Sequence, residues 1–159
     1  MPFTPFHMGV GLVSKGLSPR RVSILAFGAS QVAVDCEPLF RALRHVNPIH
    51  GPVHTMLVGG AVGVAAGAVT WWIGRGIAPL LPAFLRHDLD RNPALVGGLI
   101  GGVSHAMLDG LVHPDVHPLW PFAPTTWVLP EAGIAAVPWG CVIAGALGTL
   151  LWVARRKQA

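Results

Sequence analysis

The stretch from Ala94 to Val112 reads ALVGGLIGGVSHAMLDGLV, nineteen residues with no lysine or arginine and one carboxylate. As a helix rising 1.5 Å per residue it extends about 28 Å, close to the ~30 Å hydrocarbon core of a bilayer. Gly97, Gly98, Gly101 and Gly102 recur at four-residue spacing, a pattern that lets helix backbones approach each other closely in lipid. His105 and Asp109 are also four apart, so both emerge on one helix face. Ionisable groups are costly inside a membrane and mark function by default, with a partner to be found. This stretch predicts a tightly packed transmembrane helix that carries a polar site.

Other runs share this character. Residues 22–39 are apolar until Asp35, residues 54–73 are rich in Gly and Ala and close on Trp71-Trp72, and residues 132–153 are apolar up to the basic tail. A shorter segment, residues 4–17, begins with Thr4 as expected N-cap and Pro5 at the first helical position. Its fourteen residues reach only about 21 Å, a shortfall that local thinning of the bilayer or snorkelling by Lys15 is expected to make up. The expected fold is all-α, a polytopic transmembrane bundle of four to five helices forming one domain over residues 1–159. Composition agrees: 52% of the chain is hydrophobic and 11% charged, against roughly 25% charged in soluble proteins.

The net charge of +4 is spread as short clusters at segment ends, without interleaved aromatics, so no nucleic-acid partner is expected. Cys36 and Cys141 lie on separate segments and imply no disulfide framework. Cys36 is expected to be a buried bystander thiol. The start, Met-Pro-Phe-Thr-Pro, lacks a basic n-region and a small-residue cleavage site, so no removable signal peptide is expected.

Lysine and arginine counts set orientation. With alternating spans, one side collects nine (Lys15, Arg20, Arg21, Arg75, Arg86, Arg91, Arg155, Arg156, Lys157) and the other two (Arg41, Arg44). The nine-residue side is expected to be cytoplasmic, with the C-terminus inside, the N-terminus outside and the chain in the cytoplasmic membrane. His7, Asp35, Glu37, His50, His54, His105 and Asp109 then all fall toward the outer face.

Carboxylates at one depth in a bilayer must pair or bind a cation, and these spans hold no arginine or lysine to pair with them. Imidazole and carboxylate together suit Zn²⁺ first, with Fe²⁺ or Mn²⁺ as alternatives. The candidate ligands are His7, Asp35, His50, His54, His105 and Asp109. Asp35 and Glu37 are expected to bracket a helix end, because the residue before Pro38 is biased away from helical geometry. Glu37 is the candidate proton acceptor in catalysis. His113, Asp115 and His117 are read as solvated loop residues, and His87, Asp88 and Asp90 as surface polar groups.

Five motifs together carry a resemblance: Pro2-Phe3-Thr4-x-x-His7, the acidic pair Asp35 and Glu37, the pair His50 and His54, His105-x-x-x-Asp109, and Trp120-Pro121-Phe122. Over residues 2 to about 124 the chain resembles the small membrane-bound metal-dependent hydrolases of bacteria, which are distantly similar in fold to zinc-dependent phospholipase C and P1 nuclease. The resemblance implies ligands at His7, Asp35, His54, His105 and Asp109, with Glu37 and His50 close by. Two features depart from the family: its paired histidines are more widely spaced, with an Arg-Gly after the first, and a second aspartate is common where Glu37 stands. The expected function is metal-dependent hydrolysis near the outer leaflet, with a lipid ester or lipid-linked phosphate as substrate. Two other classes share some residues: a redox protein with haem held between His54 and His105, and a carrier of divalent cations or protons.

Overall fold

The computed structural model describes residues 5–156, except for the side chain of Arg156. All regular structure among these residues is helical. It comprises α1 (Met8–Leu17), α2 (Ile24–Leu43), α3 (Met56–Ile77), the single turn α4 (Ala83–Arg86), α5 (Arg91–Val112) and α6 (Glu131–Arg156). Short 3-10 turns at Pro5–His7, Pro52–His54 and His87–Leu89 precede α1, α3 and α5. Thr4, the expected N-cap, and Lys157 lie outside the described residues.

Among the described residues three helical stretches are long and apolar enough to cross a membrane: Met56–Leu80, Arg91–Val112 and Glu131–Arg155. The α2 helix has 20 residues but carries Asp35, Glu37 and Arg41, and α1 has only 10.

Side-chain caps start two of the helices. The Ser23 hydroxyl accepts the Ala26 N–H at 3.0 Å and caps α2, while Thr55 accepts from Val58 at 3.2 Å and caps α3. The expected break before Pro38 does not occur: α2 runs through Pro38 to Leu43. Side chains on either side of the proline tie the helix to the loop that follows it. Glu37 accepts from the Val53 amide at 3.0 Å, and Arg41 donates to the Pro48 carbonyl at 2.8 Å. Beyond Leu43 the chain closes in a Schellman arrangement, with Val46 N–H on Arg41 O, His45 N–H on Ala42 O, and His45 at φ 54°.

The core is built around α5, which packs on α3 with one glycine stripe and on α2 with the other. A Cβ on Gly98 or Gly102 would overlap the carbonyl of Gly63 or Gly59, and one on Gly97 would overlap that of Ser23. Glycine is required here because the backbones touch. A second seam joins α1 to α6, where Gly9 meets the Cys141 carbonyl and Gly16 that of Gly148.

Lys15 does not snorkel. It is 1% exposed, donates to the Val22 carbonyl at 2.9 Å and forms an ion pair with Asp88. Asp88 is correspondingly buried, not a surface group, and its second oxygen accepts the Ile24 N–H at 2.7 Å. Packing α1 against the start of α2 removes the ammonium from any route to solvent, and the carboxylate just ahead of α5 meets it there.

Candidate metal centre

At the other end of α5, His105 and Asp109 point into the bundle, both buried. The facing side of α2 offers Gln31 and Asp35, again four residues apart and buried. The turn Pro52–His54 delivers His54 from the start of α3, and Pro5–His7 delivers His7 from the start of α1. Four separate chain segments thus converge.

Asp35, His54, His105 and Asp109 each present a ligand atom within 4.8 Å of the others. His105 Nε2 lies 3.2 Å from Asp109 Oδ2 and 3.3 Å from Asp35 Oδ1, and His54 Nε2 lies 3.4 Å from the same Asp109 oxygen. Bonds of about 2.0–2.2 Å from histidine nitrogen or carboxylate oxygen to a divalent ion, in tetrahedral arrangement, space neighbouring ligand atoms by about 3.3–3.6 Å. The closest pairs match that spacing.

The proton on His105 can be placed. Gln31 Nε2 donates to the Gly101 carbonyl at 2.9 Å, so Gln31 Oε1 is the acceptor for His105 Nδ1 at 2.8 Å. In the neutral ring Nε2 then carries a lone pair and faces two carboxylate oxygens, an arrangement that a cation stabilises. His7 Nδ1, both nitrogens of His54 and His105 Nε2 are buried without a hydrogen-bond partner. Leaving such a group unsatisfied costs about 1–3 kcal/mol. Residues of this kind in this arrangement fit a bound divalent ion.

The remaining expected ligands fall around this group of four. His7 Nε2 is 3.5 Å from Asp109 Oδ1, with its ring edge-on to His105 at 4.8 Å between centroids. His50 is not among the four; it forms a second potential ligand group with Asp109 and His113. Glu37 lies behind His54, with Oε2 3.6 Å from Nδ1. Cys36 is exposed and takes no part.

Sequence reasoning missed three participants. Gln31 raises no alarm as a neutral amide, and only its spacing from Asp35 could have pointed to it. Asp115 is engaged with His50, whose Nδ1 lies 2.9 Å from Oδ1 and whose backbone N–H reaches Oδ2 at 3.2 Å. Burial acts to raise the Asp115 carboxyl, but the His50 hydrogen bonds outweigh it and hold the group below its ordinary value. His113 stacks on His50 at 4.5 Å between centroids. Burial holds its imidazole below the ordinary value, which favours the neutral form a ligand needs. His117 is exposed and, with His50, Asp115 and Trp120, lines a cavity of about 350 Å³ beside the centre.

The His54 and His105 rings are 5.2 Å apart between centroids with Asp109 Oδ2 between their Nε2 atoms. That leaves no space for a macrocycle, so a haem held between them does not fit.

Compared with known proteins, the chain matches no protein-family model, no curated protein and no solved structure.

Proposed function

We propose that this chain is a membrane-embedded metal-dependent hydrolase acting on a lipid ester or lipid-linked phosphate near the outer leaflet of the cytoplasmic membrane. The observation that carries it is the approach of three imidazole Nε2 atoms to the single carboxylate of Asp109, in a buried site where four ring nitrogens lack partners. Asp35, His54, His105 and Asp109 would hold the ion, with zinc favoured and Fe²⁺ or Mn²⁺ as alternatives. The group His50, Asp109 and His113 gives capacity for a second ion that shares Asp109. A bound ion of this class acts as a Lewis acid on a phosphoryl or acyl oxygen and acidifies water.

The chain's own groups do the positioning. Gln31 and Asp115 pair with the Nδ1 atoms of His105 and His50 and orient those rings, as outer carboxylates and amides do around metal-bound histidines. Glu37, whose Oε2 lies 3.6 Å from His54 Nδ1, would take the proton in catalysis. His7 Nε2 can hold a proton against Asp109 Oδ1. The cavity beside His50 is where a headgroup would enter, and its position at the end of the apolar helix α5 supports that reading. We take the chain to cross four to five times, and the excess of arginine and lysine at the Lys15 end then supports a cytoplasmic location for that end and an outer-facing site.

The test is turnover. Protein in mild detergent should hydrolyse a fluorogenic lipid phosphate or lipid ester, lose activity to a chelator and regain it on adding zinc, iron(II) or manganese(II). Absence of any metal-restored turnover across both substrate classes, in protein that retains its ion, rejects the hydrolase.

A further inference from the structure

Asp109 belongs to two groups of potential ligands, one with Asp35, His54 and His105 and the other with His50 and His113. All four residues of the first group are buried, at 5% exposure or less. In the second group His50 and His113 are only partly buried. Resting on the hydrolase reading above, we infer that the two groups divide the work. The first holds a closed, structural ion. His50, Asp109 and His113 hold a second, exchangeable ion, and the phosphoryl or acyl oxygen of the substrate binds there.

Helix geometry builds the shared carboxylate. His105, Asp109 and His113 follow one another at four-residue spacing, which puts residues on one helix face. The His113 N–H donates to the Asp109 carbonyl at 2.8 Å, so the helical ladder reaches the third of them. Asp109 is therefore flanked by one histidine a turn below and another a turn above. Its Oδ2 lies 3.2 Å from His105 Nε2 and 3.4 Å from His54 Nε2, which assigns that oxygen to the first group. A carboxylate has a second oxygen and can serve a second ion. His50 arrives from the connection between α2 and α3. Its Nδ1 pairs with Asp115 Oδ1 at 2.9 Å and its backbone N–H reaches Oδ2 at 3.2 Å, so Nε2 is the ligand atom left.

Ligand number and access separate the two ions. Four protein ligands fill a tetrahedral zinc shell, whereas three leave a position for water or substrate. The cavity of about 350 Å³ is lined by His50, Asp115, His117 and Trp120, and by none of the four residues of the first group. A molecule entering it meets the three-residue group first. Gly51 also lines the cavity, and the Glu37 carboxylate lies against Gly51, which sets the proton acceptor behind that wall.

Cobalt(II) binding to the full chain in mild detergent, followed by elemental analysis and visible spectroscopy, tests the division. Wild type should bind two ions per chain, one released readily to a chelator and one resistant. His50→Ala and His113→Ala should each keep only the resistant ion. Asp115→Asn, which removes the charge behind the His50 ring, should weaken the exchangeable ion about 10–100-fold and leave the other unchanged. Where a histidine variant does not fold, that selective loss gives the same reading. Inorganic phosphate, as the oxygen ligand, should shift the cobalt spectrum of wild type and not that of His50→Ala. Three results overturn the division: two ions retained in both histidine variants, an equal phosphate shift in His50→Ala, or equal weakening of both ions by Asp115→Asn. A single ion in wild type that His50→Ala leaves in place removes the second site while the hydrolase reading stands. Wild type that binds no ion removes both.

Discussion

The two ends of the bundle each bury ionisable side chains, and they do so in opposite ways. Around Asp88 every charge is answered: the Lys15 ammonium meets a carboxylate and a carbonyl, and the carboxylate also takes the Ile24 amide. Around Asp109 three imidazoles approach one carboxylate, and four of their ring nitrogens have no hydrogen-bond partner. Burial of charge alone therefore does not distinguish a structural pair from a functional site. What distinguishes them is whether the polar atoms are satisfied within the fold.

If this contrast is correct, the two ends should fail differently. Lys15→Met leaves Asp88 buried and uncompensated, a change worth about 3–5 kcal/mol of stability. Chemical denaturation in detergent should show that loss, and the double variant Lys15→Met/Asp88→Asn should recover most of it, since the amide oxygen still accepts from Ile24. Recovery absent in the double variant would mean that the pair does more than neutralise itself. Neither variant, where folded, should alter metal content.

At the other end, Gln31→Leu removes the acceptor that holds the His105 ring. Loss of such an outer partner typically costs 10–100-fold in metal affinity, which competition against a chelator would measure. An unchanged affinity would show that His105 is oriented by packing alone. Smallest of all, His45→Gly relieves a left-handed backbone at the close of α2 and should stabilise the protein by about 1 kcal/mol. It should act on neither polar end, so any shift in metal content would blur the contrast.

The apolar helices were legible in the sequence because long runs without charge leave few alternatives. Segments expected at 54–73, 94–112 and 132–153 are found at Met56–Ile77, Arg91–Val112 and Glu131–Arg156. The end of α2 was not legible, because the helix runs past the local bias before Pro38, and the ties of Glu37 to the Val53 N–H and of Arg41 to the Pro48 carbonyl exist only in the folded chain. For the site, Asp35, His54, His105 and Asp109 stood out as ionisable groups in apolar surroundings. His50 was drawn into the same group by its spacing from His54. It stands outside the group of four, pairs through Nδ1 with Asp115, and belongs to the second group with Asp109 and His113. The Lys15–Asp88 pair joins residues 73 positions apart in sequence, and no local pattern announces such a contact.

Elemental analysis of protein purified in mild detergent without chelator addresses the metal assignment most directly. The assignment predicts at least one divalent ion per chain in wild type, lost in His54→Ala and Asp109→Ala and kept in Lys15→Met/Asp88→Asn. Wild type free of stoichiometric metal, or full retention in both centre variants, would contradict it.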